Sequence, residues 1–220
     1  MSREVVEVET GRAPSGSVIW LHGLGADGHD FEPIVPELVQ PAERALRFVF
    51  PHAPIRPVTL NGGYPMRAWY DIAALDRRTA EDESGIRATR AAIDTLIRRE
   101  NSRGIASERI VLAGFSQGGA MALFTGARYP ERLAGIMGLS CYLLLAPRLA
   151  AERSAANQAT PVFLAHGTQD PVVPLMLGEY ARHALEACGY SVEWHAYDMP
   201  HSLCPPEVTD IAAWLRRVLP

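Results

Sequence analysis

The chain contains no lysine, and all 21 of its basic side chains are arginine. This absence excludes mechanisms that need a lysine amine, such as a serine–lysine dyad, a Schiff base or the phosphate-binding lysine of a P-loop. Cysteine is also scarce. Cys141, Cys188 and Cys204 are odd in number and share no CxxC spacing. They are therefore expected to be free thiols in a reducing compartment rather than a disulfide framework.

Long hydrophobic runs and a large excess of charge are missing as well. The longest apolar stretch, about Leu133 to Pro147, is interrupted and shorter than the roughly 20 residues that a membrane-spanning helix needs. The first residues contain no signal-peptide core, and a net charge of −4 gives no reason to expect binding to nucleic acid or to an anionic membrane. We therefore expect a soluble, cytoplasmic protein without stable membrane insertion. A homodimer is compatible with the sequence, although no residue argues for one.

Strand and helix signals alternate along the chain, and 220 residues is the size of one domain. The alternation predicts a single domain over residues 1–220, built on a mainly parallel central sheet with helices on both faces. Strands are predicted at Val5–Val8, Ser17–Leu21, Leu46–Phe50, Ile110–Ala113, Leu133–Ser140, Val162–His166 and Ser191–Tyr197, and helices at Phe31–Val39, Ser84–Glu100, Gln117–Tyr129, Leu177–Ala187 and Glu207–Leu219.

Two longer connections interrupt this rhythm. Pro51–Ala80 is rich in proline and glycine, and Leu143–Thr160 is a second, shorter excursion. A long connection without periodicity of its own is often functional. The chain has no room for a large cap domain, so these two segments are expected to shape any substrate cleft.

The segment Gly114–Gly118 reads G-F-S-Q-G, which fits the motif G-x-S-x-G. It follows the apolar, β-branched run Ile110–Ala113 and precedes a helical pattern, which is the strand–turn–helix context of a nucleophile elbow. In such an elbow the serine has a positive φ, and its neighbours must be small. Ser116 is therefore the candidate nucleophile.

A serine hydroxyl needs a base, and without lysine the base should be a histidine. Most of the seven histidines fall on strands, within a helix or at strand ends, where structural or surface roles are expected. His201 differs, because it lies on the loop between the last strand and the last helix. A late histidine on such a loop, in the chain order Ser…Asp…His, is the predicted base.

The base in turn needs an acid that holds its tautomer and orientation. Asp170 follows the strand Val162–His166 and precedes His201 in the chain, so it is the favoured acid. Asp198 is the alternative, only three residues before His201, where it could instead bond locally within its loop.

Backbone N–H groups should stabilise the oxyanion that develops during acyl transfer. One is expected from Gln117, directly after the nucleophile. The other is expected from Leu24, which stands between two glycines in the loop after the second strand.

The same loop also fits G-x-G-x-x-G over Gly23–Gly28, so a dinucleotide site has to be weighed. That reading expects an acidic residue at the end of the next strand, which here ends in Phe50-Pro51-His52 without one. Histidines and aspartates near the loop match no zinc-ligand spacing. We therefore expect neither a nicotinamide cofactor nor a metal site.

Together these motifs resemble small bacterial carboxylesterases and acyl-protein thioesterases, the phospholipase/carboxylesterase branch of the α/β-hydrolases. The resemblance runs from about Val18 to the C-terminus. It is carried by Leu21–Asp30, Asn61–Tyr64, Trp69–Asp71, Gly114–Gly119, His166–Pro174 and His201. One position departs from the family pattern, because Pro200 stands where glycine usually precedes the catalytic histidine.

The resemblance implies the α/β-hydrolase fold, the triad Ser116, Asp170 and His201, and an oxyanion hole from the amides of Leu24 and Gln117. The segment Asn61–Ile72 would form part of the acyl-pocket wall. The residues themselves suggest an apolar slot near the nucleophile. Its candidate lining residues are Met66, Trp69, Cys141, Tyr142, Leu143 and Val172.

The resulting hypothesis is a cofactor-independent serine hydrolase that cleaves esters or thioesters of short-to-medium acyl chains through an acyl-enzyme. Its physiological activity would be that of a carboxylesterase, an acyl-protein thioesterase or a lysophospholipase, with a small ester, an acylated protein or a lysophospholipid as substrate. The alternative from another class is a hydrolase-fold binding protein without turnover.

Overall fold

The computed structural model describes residues 5–39, 44–75 and 79–219. Nine strands and six α-helices follow one another in chain order within these ranges, with short 3-10 turns between some of them. They are β1 Val5–Glu9, β2 Gly16–Leu21, α1 Val35–Leu38, β3 Leu46–Pro51, β4 Ile55–Val58, β5 Tyr64–Arg67, α2 Glu83–Ser102, β6 Ile110–Phe115, α3 Gln117–Gly126, β7 Gly135–Leu139, α4 Leu149–Glu152, β8 Val162–Gly167, α5 Leu175–Ala187, β9 Val192–Tyr197 and α6 Pro205–Val218.

Seven strands form one sheet in the order β1-β3-β2-β6-β7-β8-β9. Only β1 runs antiparallel to its neighbour, with Val6 opposite Phe50, and the other pairs are parallel. The predicted mainly parallel sheet is therefore confirmed. Parallel strands end at the same edge, so the loops after β2, β6, β8 and β9 share one side of the molecule.

Both faces of the sheet are covered, because its strands alternate between two apolar surfaces. On β2, Ile19 and Leu21 pack into the core beneath α2, α3 and α5. Val18 and Trp20 point the other way, into the core beneath α1 and α6. All four side chains are at most 1% exposed, and each such burial contributes about 1.5–3 kcal/mol of transfer free energy.

The helix predicted at Ser84–Glu100 is confirmed as α2. Asp82 caps it by accepting a hydrogen bond from the Gly85 N–H at 2.9 Å. Ile86, Ile93 and Ile97 are buried on one face, as their spacing predicts. None of the helices in the described part of the chain combines the length and hydropathy that crossing a bilayer requires.

The structure differs from the sequence-based expectation inside Pro51–Ala80. Strands β4 and β5 form a two-stranded antiparallel hairpin there, with Pro57 directly opposite Pro65. Proline donates no ladder hydrogen bond, which is why this segment carries no recognisable strand pattern. Residues 76–78 of this segment lie outside the described residues. The first four residues of the chain lie outside them as well. Helix α3 also ends at Gly126 rather than at Tyr129.

Glu207 is an uncommon residue for the core, since its side chain is fully buried at the start of α6. Neither carboxyl oxygen has a hydrogen-bond partner among the described residues. Burial raises the pKa of Glu207 to about 8, and the nearby Asp210 carboxylate acts in the same direction. The folded chain therefore keeps this proton at pH values where the unfolded chain has lost it.

Glu207→Gln is consequently expected to stabilise the protein at alkaline pH. Between the unfolded pKa near 4.5 and the folded pKa of about 8, rising pH favours the unfolded chain. Thermal unfolding should give the variant a Tm several degrees above wild type at about pH 8 and nearly equal to it at about pH 5. The exposed Glu108→Gln is the matched control. An identical Tm difference at both pH values would contradict the assignment.

Candidate active site

Ser116 lies on the turn between β6 and α3 with φ 54° and ψ −121°. This is the positive φ that the motif predicts, and the backbone is fixed there by a 2.8 Å hydrogen bond from the Ser116 N–H to the Leu139 carbonyl. A Cβ on Gly114 would come within 2.3 Å of the Gly118 carbonyl carbon, and one on Gly118 within 2.2 Å of the Leu21 oxygen. Only glycine fits at these two positions, because the contacts are with backbone.

His201 and Asp170 are joined by a 2.6 Å hydrogen bond between Nδ1 and Oδ2. The other carboxylate oxygen of Asp170 accepts the N–H groups of Val172 and Val173, both at 2.8 Å. Because the carboxylate accepts, Nδ1 carries the proton and Nε2 is left as the basic nitrogen. Asp198, the alternative acid, instead accepts from the Gln169 side chain and makes no bond to His201.

The three candidate residues follow strands β6, β8 and β9, whose carboxyl ends share one edge of the sheet. Phe115, which directly precedes Ser116, places its ring 4.7 Å from the His201 imidazole, centroid to centroid. The Ser116 hydroxyl makes no hydrogen bond to His201 in this geometry. Without bound substrate, such a contact is often long and tightens only in the reactive complex.

Pro200 is accommodated because the loop uses its carbonyl rather than an N–H. The Pro200 oxygen accepts a 2.9 Å hydrogen bond from the Ser202 N–H, and the Met199 oxygen accepts one from Gln169 at 3.1 Å. Gly167 lets the loop approach, since a Cβ there would lie 2.3 Å from the Met199 oxygen. The departure from the family pattern thus removes no donor that this loop employs.

The amides of Leu24 and Gln117 donate no hydrogen bond to any described residue. Gln117 is the first residue of α3, where N–H groups lack an intrahelical acceptor and the helix dipole is positive. The Leu24 loop lies against the nucleophile, because a Cβ on Gly23 would be 3.5 Å from Cβ of Ser116. Both amides are therefore available to an anionic oxygen near Ser116.

The side chain of Gln117 has a second role that the motif alone does not reveal. Its oxygen accepts the Trp69 N–H at 2.8 Å, and its nitrogen donates to the Tyr70 carbonyl at 2.9 Å. Trp69 also donates its indole N–H to the His22 carbonyl at 2.8 Å. These bonds fasten the segment after β5 to both the elbow and the Leu24 loop.

Gln117→Met is expected to loosen that segment while the Gln117 backbone amide stays in place. Two buried backbone groups lose their partners, which should lower the free energy of unfolding by about 2–3 kcal/mol. We also expect kcat/KM for ester hydrolysis to fall by about tenfold, since displaced positioning groups weaken catalysis. Denaturant unfolding and steady-state kinetics measure the two effects. The control is Gln158→Met, which removes a side-chain hydrogen bond to the Cys188 carbonyl. If Gln117→Met changed the free energy of unfolding and kcat/KM no more than this control does, the positioning role of the Gln117 side chain would be contradicted.

Two further histidines near the site are held as structural groups. His22 donates from Nδ1 to the Gly23 carbonyl and accepts the Ala53 N–H at Nε2. Burial lowers the pKa of His22 to about 4, so the ring is neutral near pH 7. His166 bonds the Val173 carbonyl at 2.8 Å, and burial lowers its pKa as well. Both nitrogens of His22 and Nε2 of His166 are therefore already engaged by backbone groups.

A cavity of about 190 Å³ opens between the segment after β5, the segment after β7 and α5. Of the predicted lining residues, Tyr142 and Leu143 face it. Tyr70 and Ile72 face it too, and both belong to the segment Asn61–Ile72 that the resemblance places in the acyl-pocket wall. Leu177, which the sequence analysis did not single out, completes this part of the lining.

The other four predicted lining residues do not line this cavity. Trp69 and Cys141 are buried, Trp69 against His22 and Cys141 beside Gly119. Burial also raises the pKa of the Cys141 thiol far above its ordinary value, so the thiol is protonated. Met66 packs with a small cluster under the hairpin. Val172 is 54% exposed.

Comparison with known proteins gives one consistent relationship. Residues 3–219 match the model of the phospholipase/carboxylesterase family. The acyl-protein thioesterase 1 of Mycosarcoma maydis is 41% identical over 98% of this chain and 96% of its own. The acyl-protein thioesterase 1 of Neurospora crassa is 43% identical over 94% of this chain and 88% of its own.

Solved structures agree with the sequence relatives. Zea mays acyl-protein thioesterase 2 superposes with a TM-score of 0.86 at 28% identity, covering 99% of this chain and 100% of its own. Arabidopsis thaliana SOBER1 superposes with a TM-score of 0.87 at 30% identity, covering 93% of this chain and 99% of its own.

Proposed function

Because the chain belongs to the phospholipase/carboxylesterase family of α/β-hydrolases, we propose that it is a serine hydrolase that cleaves carboxylic esters or thioesters through an acyl-enzyme. One observation carries the assignment of its machinery: the 2.6 Å bond between Asp170 and His201, at the same sheet edge as a serine with positive φ. In this proposal Ser116 is the nucleophile, His201 the base and Asp170 the group that orients it.

The first half of the reaction forms the acyl-enzyme. The Ser116 hydroxyl oxygen attacks the carbonyl carbon while its proton passes to Nε2 of His201. The carbonyl oxygen becomes an oxyanion, which accepts hydrogen bonds from the amides of Leu24 and Gln117. When this intermediate collapses, the carbon–oxygen or carbon–sulfur bond breaks, and the leaving alcohol or thiol takes the proton from His201.

The second half releases the acid. The oxygen of a water molecule attacks the acyl carbon while His201 takes a proton from that water. The same two amides stabilise the second oxyanion. Collapse breaks the bond to Ser116, whose oxygen regains the proton from His201. The Asp170 carboxylate stays ionised throughout and stabilises the imidazolium that forms in each half.

The relatives narrow the substrate class within this proposal. Several are named acyl-protein thioesterase 1, so an S-acylated protein is the physiological substrate we favour, with lysophospholipids and small esters of short-to-medium acyl chains as alternatives. We further propose that residues 1–220 form one hydrolase domain. A cytoplasmic location is supported by three cysteines that all remain free thiols.

The proposed activity is tested with matched ester and thioester substrates of equal acyl length, from about four to sixteen carbons, alongside an S-acylated peptide and a lysophospholipid. We expect catalytic release of the leaving group from both esters and thioesters, at a rate proportional to enzyme concentration, since the same oxyanion chemistry serves both bond types. Stoichiometric binding of these compounds without release of any leaving group would overturn the hydrolase proposal in favour of a binding protein.

A further inference from the structure

The wall of the cavity contains a pair of tyrosine hydroxyls in direct contact. The oxygens of Tyr70 and Tyr142 are 2.5 Å apart. Tyr70 is only 2% exposed. Burial raises the pKa of both phenols well above the ordinary value, and each hydroxyl affects the other. Both groups are therefore protonated at neutral pH.

The pair can use only one of its two phenol protons in a hydrogen bond within the pair. Two phenols carry two protons, and only one proton can lie in the bond between the two oxygens. Neither hydroxyl donates to another partner within the described part of the chain. The nearby Glu81 carboxylate accepts the Leu145 N–H, at 3.1 and 3.2 Å to its two oxygens, and receives no bond from either phenol. One O–H donor is consequently left at the cavity wall.

This donor belongs to the surroundings of the nucleophile. The Gln117 side chain binds the Tyr70 carbonyl at 2.9 Å, and Tyr142 follows Cys141, whose side chain abuts Gly119 of α3. Ile72, Leu143 and Leu177 supply an apolar lining for the same cavity. Asp71, Glu81 and Asp82 also line the cavity, and each accepts a backbone N–H from elsewhere in the chain, so as carboxylates they offer no donor. An acyl chain that extended from Ser116 into the cavity would therefore find the phenol O–H available as a donor.

We propose that this cavity selects acyl groups that carry an acceptor oxygen along the chain, as a keto, hydroxyl or ether group, and that Tyr70 and Tyr142 determine the preference. The inference rests on the proposed function, because it requires acyl transfer at Ser116. An acceptor oxygen pairs with the remaining phenol proton, whereas a plain hydrocarbon chain leaves that proton unpaired and desolvated. Sites built to hydrogen-bond a substrate group discriminate against analogues that lack it.

The test uses p-nitrophenyl esters in pairs. Each pair has one chain length, with a plain acyl group in one ester and a keto oxygen at a chosen carbon in the other, and the keto position moves stepwise along the chain. The readout is the ratio of kcat/KM between oxo and plain esters. For the best position, wild type should give a ratio of about tenfold, after correction for the intrinsic reactivity of each ester towards hydroxide.

Tyr142→Phe and Tyr70→Phe each remove one hydroxyl with little change of shape. One of the two variants removes the O–H that faces the cavity. In that variant the ratio should fall by at least about threefold, because the hydroxyl that remains was directed at its lost partner and not at the cavity. Tyr190→Phe removes a buried hydroxyl that bonds the Ala127 carbonyl at 3.2 Å outside the cavity, and should leave the ratio unchanged.

Two results would overturn the inference while ester turnover is intact. One is a wild-type ratio near one at every keto position. The other is a high ratio that persists in both phenylalanine variants. If the folded wild-type enzyme turned over no ester at all, the proposed function would fail, and this inference with it. The two failures are therefore distinguishable.

Discussion

Ser116→Ala is expected to lower kcat for ester hydrolysis by about 10⁴- to 10⁶-fold, because the three residues of a triad act as a unit and lose most of their effect when one is removed. The remaining rate would come from the Leu24 and Gln117 amides and from substrate binding. Alanine and serine meet the same backbone strain at φ 54°, so the fold should tolerate the change. Steady-state kinetics on the purified variant measure the loss.

The control for this variant is Ser102→Ala, which removes a hydroxyl at the end of α2 that bonds the Arg99 carbonyl. It should leave kcat within about twofold of wild type, as expected for an exposed position. A loss of less than about tenfold in folded Ser116→Ala would rule out Ser116 as the nucleophile. Thermal unfolding of both variants establishes that they are folded.

Asp170→Asn should lower kcat by about 10³- to 10⁴-fold, through the tautomer of His201. The asparagine oxygen can still accept the N–H groups of Val172 and Val173, which now bind one Asp170 oxygen. The amide nitrogen then faces Nδ1 of His201 as a donor. Nδ1 must become an acceptor, so the proton moves to Nε2 and the ring can no longer take a proton from Ser116.

Asp198→Asn is the matched comparison, because Asp198 is the alternative acid and lies on the same loop as His201. It should change kcat by less than about threefold, since Asp198 bonds the Gln169 side chain rather than His201. The kinetics of the two variants are measured side by side. A larger loss of kcat in Asp198→Asn than in Asp170→Asn would identify Asp198 rather than Asp170 as the acid that orients His201.

Much of the fold could be predicted because hydrophobic periodicity is local. The apolar run before Ser116 and the single face of Ile86, Ile93 and Ile97 each specify an element without knowledge of the rest of the chain. The hairpin β4–β5 could not be predicted in this way. Its two strands place Pro57 opposite Pro65, and prolines remove the alternation and the ladder donors by which strands are recognised.

The candidate site is predictable where roles follow chain order and less so where they follow tertiary contacts. The motif around Ser116 and the late position of His201 nominate those residues from the amino-acid sequence alone. The choice between Asp170 and Asp198 depends on the hydrogen bond at Nδ1 of His201. The positioning role of the Gln117 side chain depends on its hydrogen bond to the Tyr70 carbonyl, 47 residues away in the sequence. No local sequence pattern encodes a contact over that separation.

The most direct test of the central claim is the site of covalent modification by a fluorophosphonate. The purified protein is treated with the reagent, its intact mass is measured, and the adduct is mapped by peptide sequencing. A single adduct on Ser116 is expected, and none on Ser116→Ala. No adduct on folded wild type, or an adduct on another residue, would contradict the claim that Ser116 is an activated nucleophile.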